Sequence, residues 1–477
     1  MRASMHVAGI LMVALSVAAL VAPAPPTAAS AGGQRYVVVW SGQVLPPEFE
    51  GLMASVGGRI VHRMDEIGVA VVESGDPAFA DAVAGIAGVQ GVAPDRLVAV
   101  GVPAEEMPVL EGTGGGPAGE ALSPEGVSPA EARFFPAQWN MRAIGADRAW
   151  AAGVLGDPRV KVAVIDSGID FIHQDLRPRV DQALSRAFFT EPLPPGAPPY
   201  LDVYGHGTHV AGIIAGSGYN VAGVAPRVTL IAVKVSGRTG FAQYGDIIAA
   251  ITYAADVGAD VINMSFGDVL VKQGRDDAQL MAALNRAMNY AHARGALLVA
   301  SAGNSGINWD RTANAMKIPA ELPHVVAVSA TGPWFGANPD AMAVGPRKDG
   351  TIVQYSDHGM SIINFAAPGG SLTPYLASPP GTDLPPGPLD SIISACARLV
   401  SQRCGNGRQG LFAFGTSMAA AHVSGAAALV DSVYGGALTG DQIVAILKQT
   451  ADDLGKPGKD MWYGFGRINV YRAVTGK

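Results

Sequence analysis

Two histidines three residues apart, His206 and His209 in GHGTHVAGIIAG (205–216), stand among glycines ahead of an apolar run. Imidazoles so placed could bind a metal, carry protons or simply begin a helix. A zinc-protease helix reads H-E-x-x-H, with the glutamate as base. Here the spacing reads H-G-T-H, and no third ligand motif accompanies it. Proton transfer needs partners, and the chain offers three. Asp166 ends VAVID, Asn304 ends LLVASAGN, and Ser417 lies in FGTSMAAAHVSGAAALV (414–430). Each has an ordinary structural reading. Asp166-Ser-Gly and a glycine-flanked Asn304 are common turns, and a serine before Met-Ala-Ala is a common helix N-cap. Together they supply an acid, an imidazole, an amide and a hydroxyl. Those groups suffice to activate a serine nucleophile and to stabilise an oxyanion.

Such groups must be brought together by rigid elements. Near-continuous apolar runs at 160–168, 228–235, 259–267, 295–304 and 324–330 read as strands buried on both faces. Helical patterns lie between them at 209–216, 245–258 and 277–295. Strand alternating with helix predicts a parallel sheet covered on both sides. Sites in such sheets gather at the carboxyl ends of strands, where Asp166 and Asn304 fall. The segment 370–410, rich in Pro, Gly and Ser and carrying both cysteines, Cys396 and Cys404, is expected to be a surface insertion.

Residues 35–100 form a separate unit. YVVVW (36–40) is strand-like, 46–57 helix-like, 59–74 a hairpin, 76–89 a second helix and 91–100 a closing strand. The order β-α-β-β-α-β is the ferredoxin-like pattern. Residues 101–135 then hold seven Gly, five Pro and six Glu against one basic residue, Arg133, and read as a flexible acidic linker.

At the N-terminus Arg2 precedes an apolar run, Val7–Val21, and small residues follow to Ala31. That is the pattern of a secretory signal over 1–31. Its 15 residues are short for a spanning helix, which needs about 20. A secreted product with no membrane insertion after cleavage is the expectation, with an uncleaved anchor as the alternative. In a secreted chain, Cys396 and Cys404 are expected to form a disulfide, free thiols being the alternative. A net charge of −7 argues against nucleic acid as a partner.

The stretches VAVIDSGID (162–170), GHGTHVAG (205–212) and GTSMAAAHVSG (415–425) resemble the signature blocks of subtilisin-like serine proteases. SAGNSG (301–306) resembles their oxyanion-asparagine block, NMSFG (263–267) their substrate-lining strand and AAPG (366–369) a further family stretch. The resemblance spans about 136–475 and implies a three-layer α/β/α fold for a catalytic domain at 136–477. The region 35–100 resembles the family's inhibitory propeptide by pattern. The resemblance implies a secreted serine endopeptidase, self-processed from a precursor, with the propeptide as intramolecular inhibitor and protein or peptide substrates. It makes Ser417 the nucleophile, His206 its base, Asp166 the partner of the imidazole and Asn304 the oxyanion donor. Ser265, Phe266, Gly267, Ser301, Ala302 and Gly303 would line the substrate cleft. His209 would be a buried helix residue. A monomer is expected, and no cofactor is needed for catalysis.

Three departures stand out. Ala421 replaces the proline usual in the serine block. Asp268 stands where a second glycine is common, and reads as an exposed loop residue or as a selector of basic side chains. Many relatives bind structural calcium, for which Asp175 and Gln138 would be ligands, but the segment 217–223 looks short for the remaining oxygens. Two other functions stay open: a subtilase scaffold that binds peptides without cutting them, and a metal hydrolase. An α/β-hydrolase esterase is disfavoured, since Ser417 lies in G-T-S-M-A and not G-x-S-x-G.

Overall fold

Side chains of KVAVID (161–166) alternate between the faces of a strand, yet all from Val162 onward are buried, so this strand needs cover on both sides. The computed structural model, which describes residues 33–101, 109–110, 128–334, 338–343, 355–370, 391–400, 404 and 410–477, supplies both covers. The N-terminal part comprises β1 (Gln34–Trp40), α1 (Phe49–Ser55), β2 (Arg59–Met64), β3 (Val69–Ser74), α2 (Phe79–Ala84), β4 (Val89–Pro94) and β5 (Leu97–Ala99). After β6 (Val109–Leu110) come α3 (Trp139–Ala143), α4 (Ala146–Ala151), β7 (Lys161–Asp166), β8 (Arg186–Ala187), α5 (His206–Ala215), β9 (Thr229–Lys234) and β10 (Phe241–Gln243). Then follow α6 (Tyr244–Asp256), β11 (Val261–Met264), β12 (Asp268–Val271), α7 (Arg275–Ala293), β13 (Leu297–Ser301), β14 (Ala315–Ile318), β15 (Val325–Trp334) and β16 (Asn338–Ala343). The chain closes with β17 (Ile363–Pro368), β18 (Ile392–Ala395), β19 (Gly410–Ala413), α8 (Thr416–Val433), α9 (Gly440–Thr450) and α10 (Val470–Thr475).

The central sheet runs β16-β15-β13-β11-β7-β9-β8, with β17 also beside β15. Every pairing is parallel except β15 with β16. Val162 and Val164 join the core that holds α5 and α8, while Ala163 and Ile165 join the core that holds α6 and α7. Helix α7 shows how the sequence selects that burial. Leu280, Ala283, Leu284, Ala287, Met288 and Ala291 recur at three- and four-residue spacing and are its buried stripe. The result is the three-layer α/β/α fold.

The N-terminal strands form an antiparallel sheet in the order β2-β3-β1-β4. Tyr36, Val38, Ala70 and Val72 face α1 and α2 with Phe49 and Phe79. Val37, Val39, Val69 and Val71 instead join the core around α6 and α7. The run YVVV is apolar throughout because both its faces are covered. Polar contacts rim this junction. Asp246 accepts from Arg35 at 2.6 Å and lies 2.8 Å from His62 Nε2. Arg286 donates to the carbonyls of Gly42 and Ile67.

Four sequence expectations need correction. The closing strand 91–100 is broken. β4 ends at Pro94, Asp95 accepts the Gly245 N–H at 2.8 Å, and β5 leaves the N-terminal sheet to pair antiparallel with β10. The second helix is shorter than 76–89, spanning Phe79–Ala84. The linker 101–135 is not linker at its far end, because Ala132 and Phe134 are buried in the main core. Burying one phenylalanine contributes about 1.5–3 kcal/mol, which composition averaged over the stretch conceals. Val109–Leu110 also pairs with β19. Finally, 370–410 is not all surface, because β18 is fully buried and pairs with β19. The signal 1–31 lies outside the described residues.

Candidate active site

The carboxyl ends of β7, β11 and β13 meet the N-terminal ends of α5 and α8. Asp166 closes β7 and is fully buried. His206 opens α5, and its Nδ1 lies 2.9 Å from both Asp166 carboxylate oxygens. That contact makes Nδ1 the donor, which leaves Nε2 to accept a proton. Ser167 N–H also donates to Asp166. Burial alone would push the His206 imidazolium down, but the adjacent Asp166 carboxylate, with Asp202 behind it, carries it above its ordinary value.

The first turn of α5 is fixed by Asp202, a residue the sequence reading did not single out. Its carboxylate accepts the N–H groups of Tyr204, Gly205 and Thr208, and the Thr208 hydroxyl at 2.6 Å. The Ser167 hydroxyl donates to Asp202 and accepts from Gly207 N–H. A carboxylate at the positive end of a helix is favourable. Gly207 must be glycine, because a Cβ there would run into the Gly168 carbonyl and crowd Asp166. Aspartate four residues before the helix histidine, with a threonine two after it, was the signal available.

Ser417 lies in the first turn of α8. Its N–H is among those with no acceptor inside the helix. Its hydroxyl donates to the Ser265 carbonyl at 3.0 Å, not to His206. The Ser265 hydroxyl donates back to the Ser417 carbonyl and accepts from Asn263, whose side chain accepts in turn from Ser424. Asn304 is oriented by Thr416, again unsingled from sequence. Asn304 Oδ1 accepts from the Thr416 N–H at 2.9 Å and hydroxyl at 2.8 Å. A backbone N–H can only donate, so the Asn304 Nδ2 donors are left for another acceptor.

His206, Asn304, Ser417, Ser265, Phe266, Gly267, Ser301 and Gly303 all line one cavity of about 170 Å³. Ala302 does not line it. It is fully buried, and its N–H donates to Val328. Its side chain falls on the core side of the strand end. Asp268 is not a loop residue. It begins β12, and its carboxylate accepts from the Tyr244 hydroxyl at 2.9 Å. Ala99 and Gly101, at the end of the N-terminal part, line the same cavity. Gly101 has φ of +75°, and a Cβ there would collide with the His206 ring.

His209 separates from His206. It is sealed in the core, where its Nε2 donates to the Leu411 carbonyl at 2.9 Å and lies 3.2 Å from that of Ile392. Burial pushes it down to about 3, so it stays neutral and ties α5 to β18 and β19. His422 is similar. Its Nδ1 donates to Met418, its Nε2 accepts from Asn140, and burial pushes it down to about 4. Ala421 lies inside an unbroken α8.

The proposed calcium ligands do not fit a cation. Asp175 accepts the N–H groups of Tyr219 at 2.7 Å and Asn220 at 3.0 Å. Gln138 both donates to and accepts from the Ala222 backbone. The short loop thus closes directly on these side chains, with peptide protons where a cation would have to sit. No group of three or more His, Cys, Asp or Glu that could hold a metal occurs among the described residues. Cys396 and Cys404 lie together with Cα atoms 5.4 Å apart, within disulfide reach.

Residues 157–466 match the family described as Peptidase_S8, Subtilase family. Subtilisin DY of Bacillus licheniformis is 34% identical over 69% of this chain and 96% of its own length. A thermophilic serine proteinase of Bacillus sp. (strain AK1) is 32% identical over 69% of this chain, and the match spans 65% of that protein. Among solved structures, the epidermin leader peptide processing serine protease of Staphylococcus aureus superposes with a TM-score of 0.69 at 22% identity, covering 93% of this chain and 98% of that one.

Proposed function

Since the chain belongs to the subtilase family of serine-type endopeptidases, we propose that it is secreted and cuts peptide bonds through Asp166, His206, Ser417 and Asn304. The observation that carries this reading is the Asp166–His206 contact opening into the cavity that Ser417 and Asn304 line. The Ser417 hydroxyl leaves the Ser265 carbonyl by rotating about χ1 and attacks the scissile carbonyl carbon. Nε2 of His206 takes its proton and returns it to the leaving amine. Asp166 fixes the tautomer and stabilises the imidazolium. The tetrahedral oxyanion accepts from Asn304 Nδ2 and Ser417 N–H, at the positive end of α8. Water then hydrolyses the acyl-enzyme with the same imidazole as base.

The N-terminal part acts in this reading as an intramolecular inhibitor. Three observations support it: the apolar junction with α6 and α7, the pairing of β5 with β10, and the close approach of Gly101 to the His206 ring. An added strand holds an extended peptide by main-chain hydrogen bonds, and this one ends over the imidazole. The signal at 1–31 directs export, Cys396 and Cys404 form a disulfide, and the mature enzyme is a monomer acting on protein or peptide substrates. Self-processing falls in or beside 101–135. Ser417→Ala is expected to accumulate the uncut precursor, read by intact mass. Normal processing in that variant would assign the cut to another protease.

A further inference from the structure

The cavity beside Ser417 contains one cationic side chain that the reaction does not use. Lys317, on β14, lines it together with Ser417 and Asn304. Its chain passes between two glycines. A Cβ at Gly303 would approach Lys317 Cε to 3.0 Å, and one at Gly267 would approach Cε to 3.1 Å and Nζ to 3.3 Å. Both glycines line the cavity, so the end of the Lys317 side chain runs past backbone at its wall on two sides. The residue as a whole is half-buried, and its ammonium end is desolvated. Its ammonium makes no hydrogen bond or ion pair among the described residues, whereas its backbone N–H donates to Glu321.

Two carboxylates lie near enough to feel this charge, and both are committed elsewhere. Asp357 accepts from the N–H groups of Ser305 and Ile307 and from the Trp309 indole. Asp268 accepts from Tyr244. Burial pushes the ammonium below its ordinary value, against the pull of Asp357 and Asp268. A desolvated cation without a direct partner gains most from an incoming carboxylate.

We infer that Lys317 makes this cavity a pocket for an acidic side chain, so that the enzyme cuts after glutamate or aspartate. The step to that position is geometric. The scissile carbonyl must sit between the Ser417 hydroxyl and Asn304 Nδ2, and the side chain of the same residue is the nearest to the cavity those groups line. The sequence agrees: beyond the segment lining the cavity, residues 102–127 hold five glutamates and no lysine or arginine. Cleavage there would meet the preference. The expectation that Asp268 selects basic residues is replaced by its opposite.

This inference rests on the peptidase reading, and its test separates the two. The processed wild-type enzyme is given peptides that differ only in the residue before the scissile bond: Glu, Asp, Gln, Ala, Leu or Lys. A charge-assisted hydrogen bond predicts kcat/KM for Glu at least about tenfold above Gln. Lys317→Met should bring that ratio close to one. Lys317→Arg should retain the preference. A wild-type ratio at or below one, or an equal loss on all peptides in Lys317→Met with no change of ratio, overturns the inference and leaves a peptidase. Hydrolysis of no peptide at all overturns the peptidase reading and this inference with it.

Discussion

Two buried aspartates, nine residues apart, one closing β7 and one beyond it, each have an imidazole beside them. Asp166 lies 2.9 Å from His206 Nδ1, and Asp175 lies 3.7 Å from His173 Nδ1. Only the first can hold an imidazole ready as a general base. His206 Nδ1 faces the carboxylate and nothing else, so it carries the proton and Nε2 is the base. His173 Nδ1 instead accepts the Asp175 backbone N–H at 3.2 Å, so it cannot also donate to the carboxylate. Asp175 turns its oxygens to a loop, and Asp166 turns its oxygens to a ring that opens on the cleft. Proximity of acid and imidazole is common to both, and the tautomer imposed by neighbouring groups separates catalysis from scaffolding.

The sharpest break between them is by substitution. Asp166→Asn should lower kcat by about 10⁴-fold with KM little changed, the scale of serine-protease triads generally. Steady-state kinetics on one peptide reads this directly. Asp175→Ala should leave kcat within about threefold. It removes the acceptor of the buried Asn220 N–H, at about 1–3 kcal/mol, and of the half-buried Tyr219 N–H, so the thermal midpoint should fall by several degrees. A chelator should not move the wild-type midpoint. A fall on chelation would restore a cation at Asp175 and undo the comparison.

The pH profile sharpens it further. His206 must be neutral to act as base, and its pKa is raised in the fold. Activity is therefore lost as pH falls through that raised value, and the acid limb of kcat/KM should lie above the ordinary imidazole value of 6.5. Asp202→Asn removes one of the charges that raise it, so the limb should move to lower pH. Asp175→Ala should not move it. The smallest effect is expected at Ala421. Ala421→Pro, inside α8, should keep turnover within about tenfold, or about 1.4 kcal/mol of barrier, since the Ser417 turn is held independently through Ser265 and Asn304.

Much of this was legible in the residues. Strands buried on both faces announce themselves as unbroken apolar runs, and the groups at their ends fell where parallel sheets gather sites. What stayed hidden depends on partners distant in sequence. Nothing in RLVAV says that β5 leaves its own sheet for β10. Nothing in the Pro- and Gly-rich tract around Ile392 says that its strand is sealed under α5. Lys317 is silent for the same reason, because its meaning comes from Gly267 and Gly303, each on another strand end. Thr416 is visible as part of GTSMA, but its partner Asn304 stands 112 residues away, and no local pattern joins the two.

The most direct test of the account is covalent labelling with a fluorophosphonate of enzymes whose N-terminal part has been removed in trans by the wild type, followed by peptide mapping. The account predicts one adduct, on Ser417, formed at the wild-type rate in Asp175→Ala and far more slowly in Asp166→Asn. An unlabelled Ser417, or equal slowing in the two aspartate variants, would contradict it.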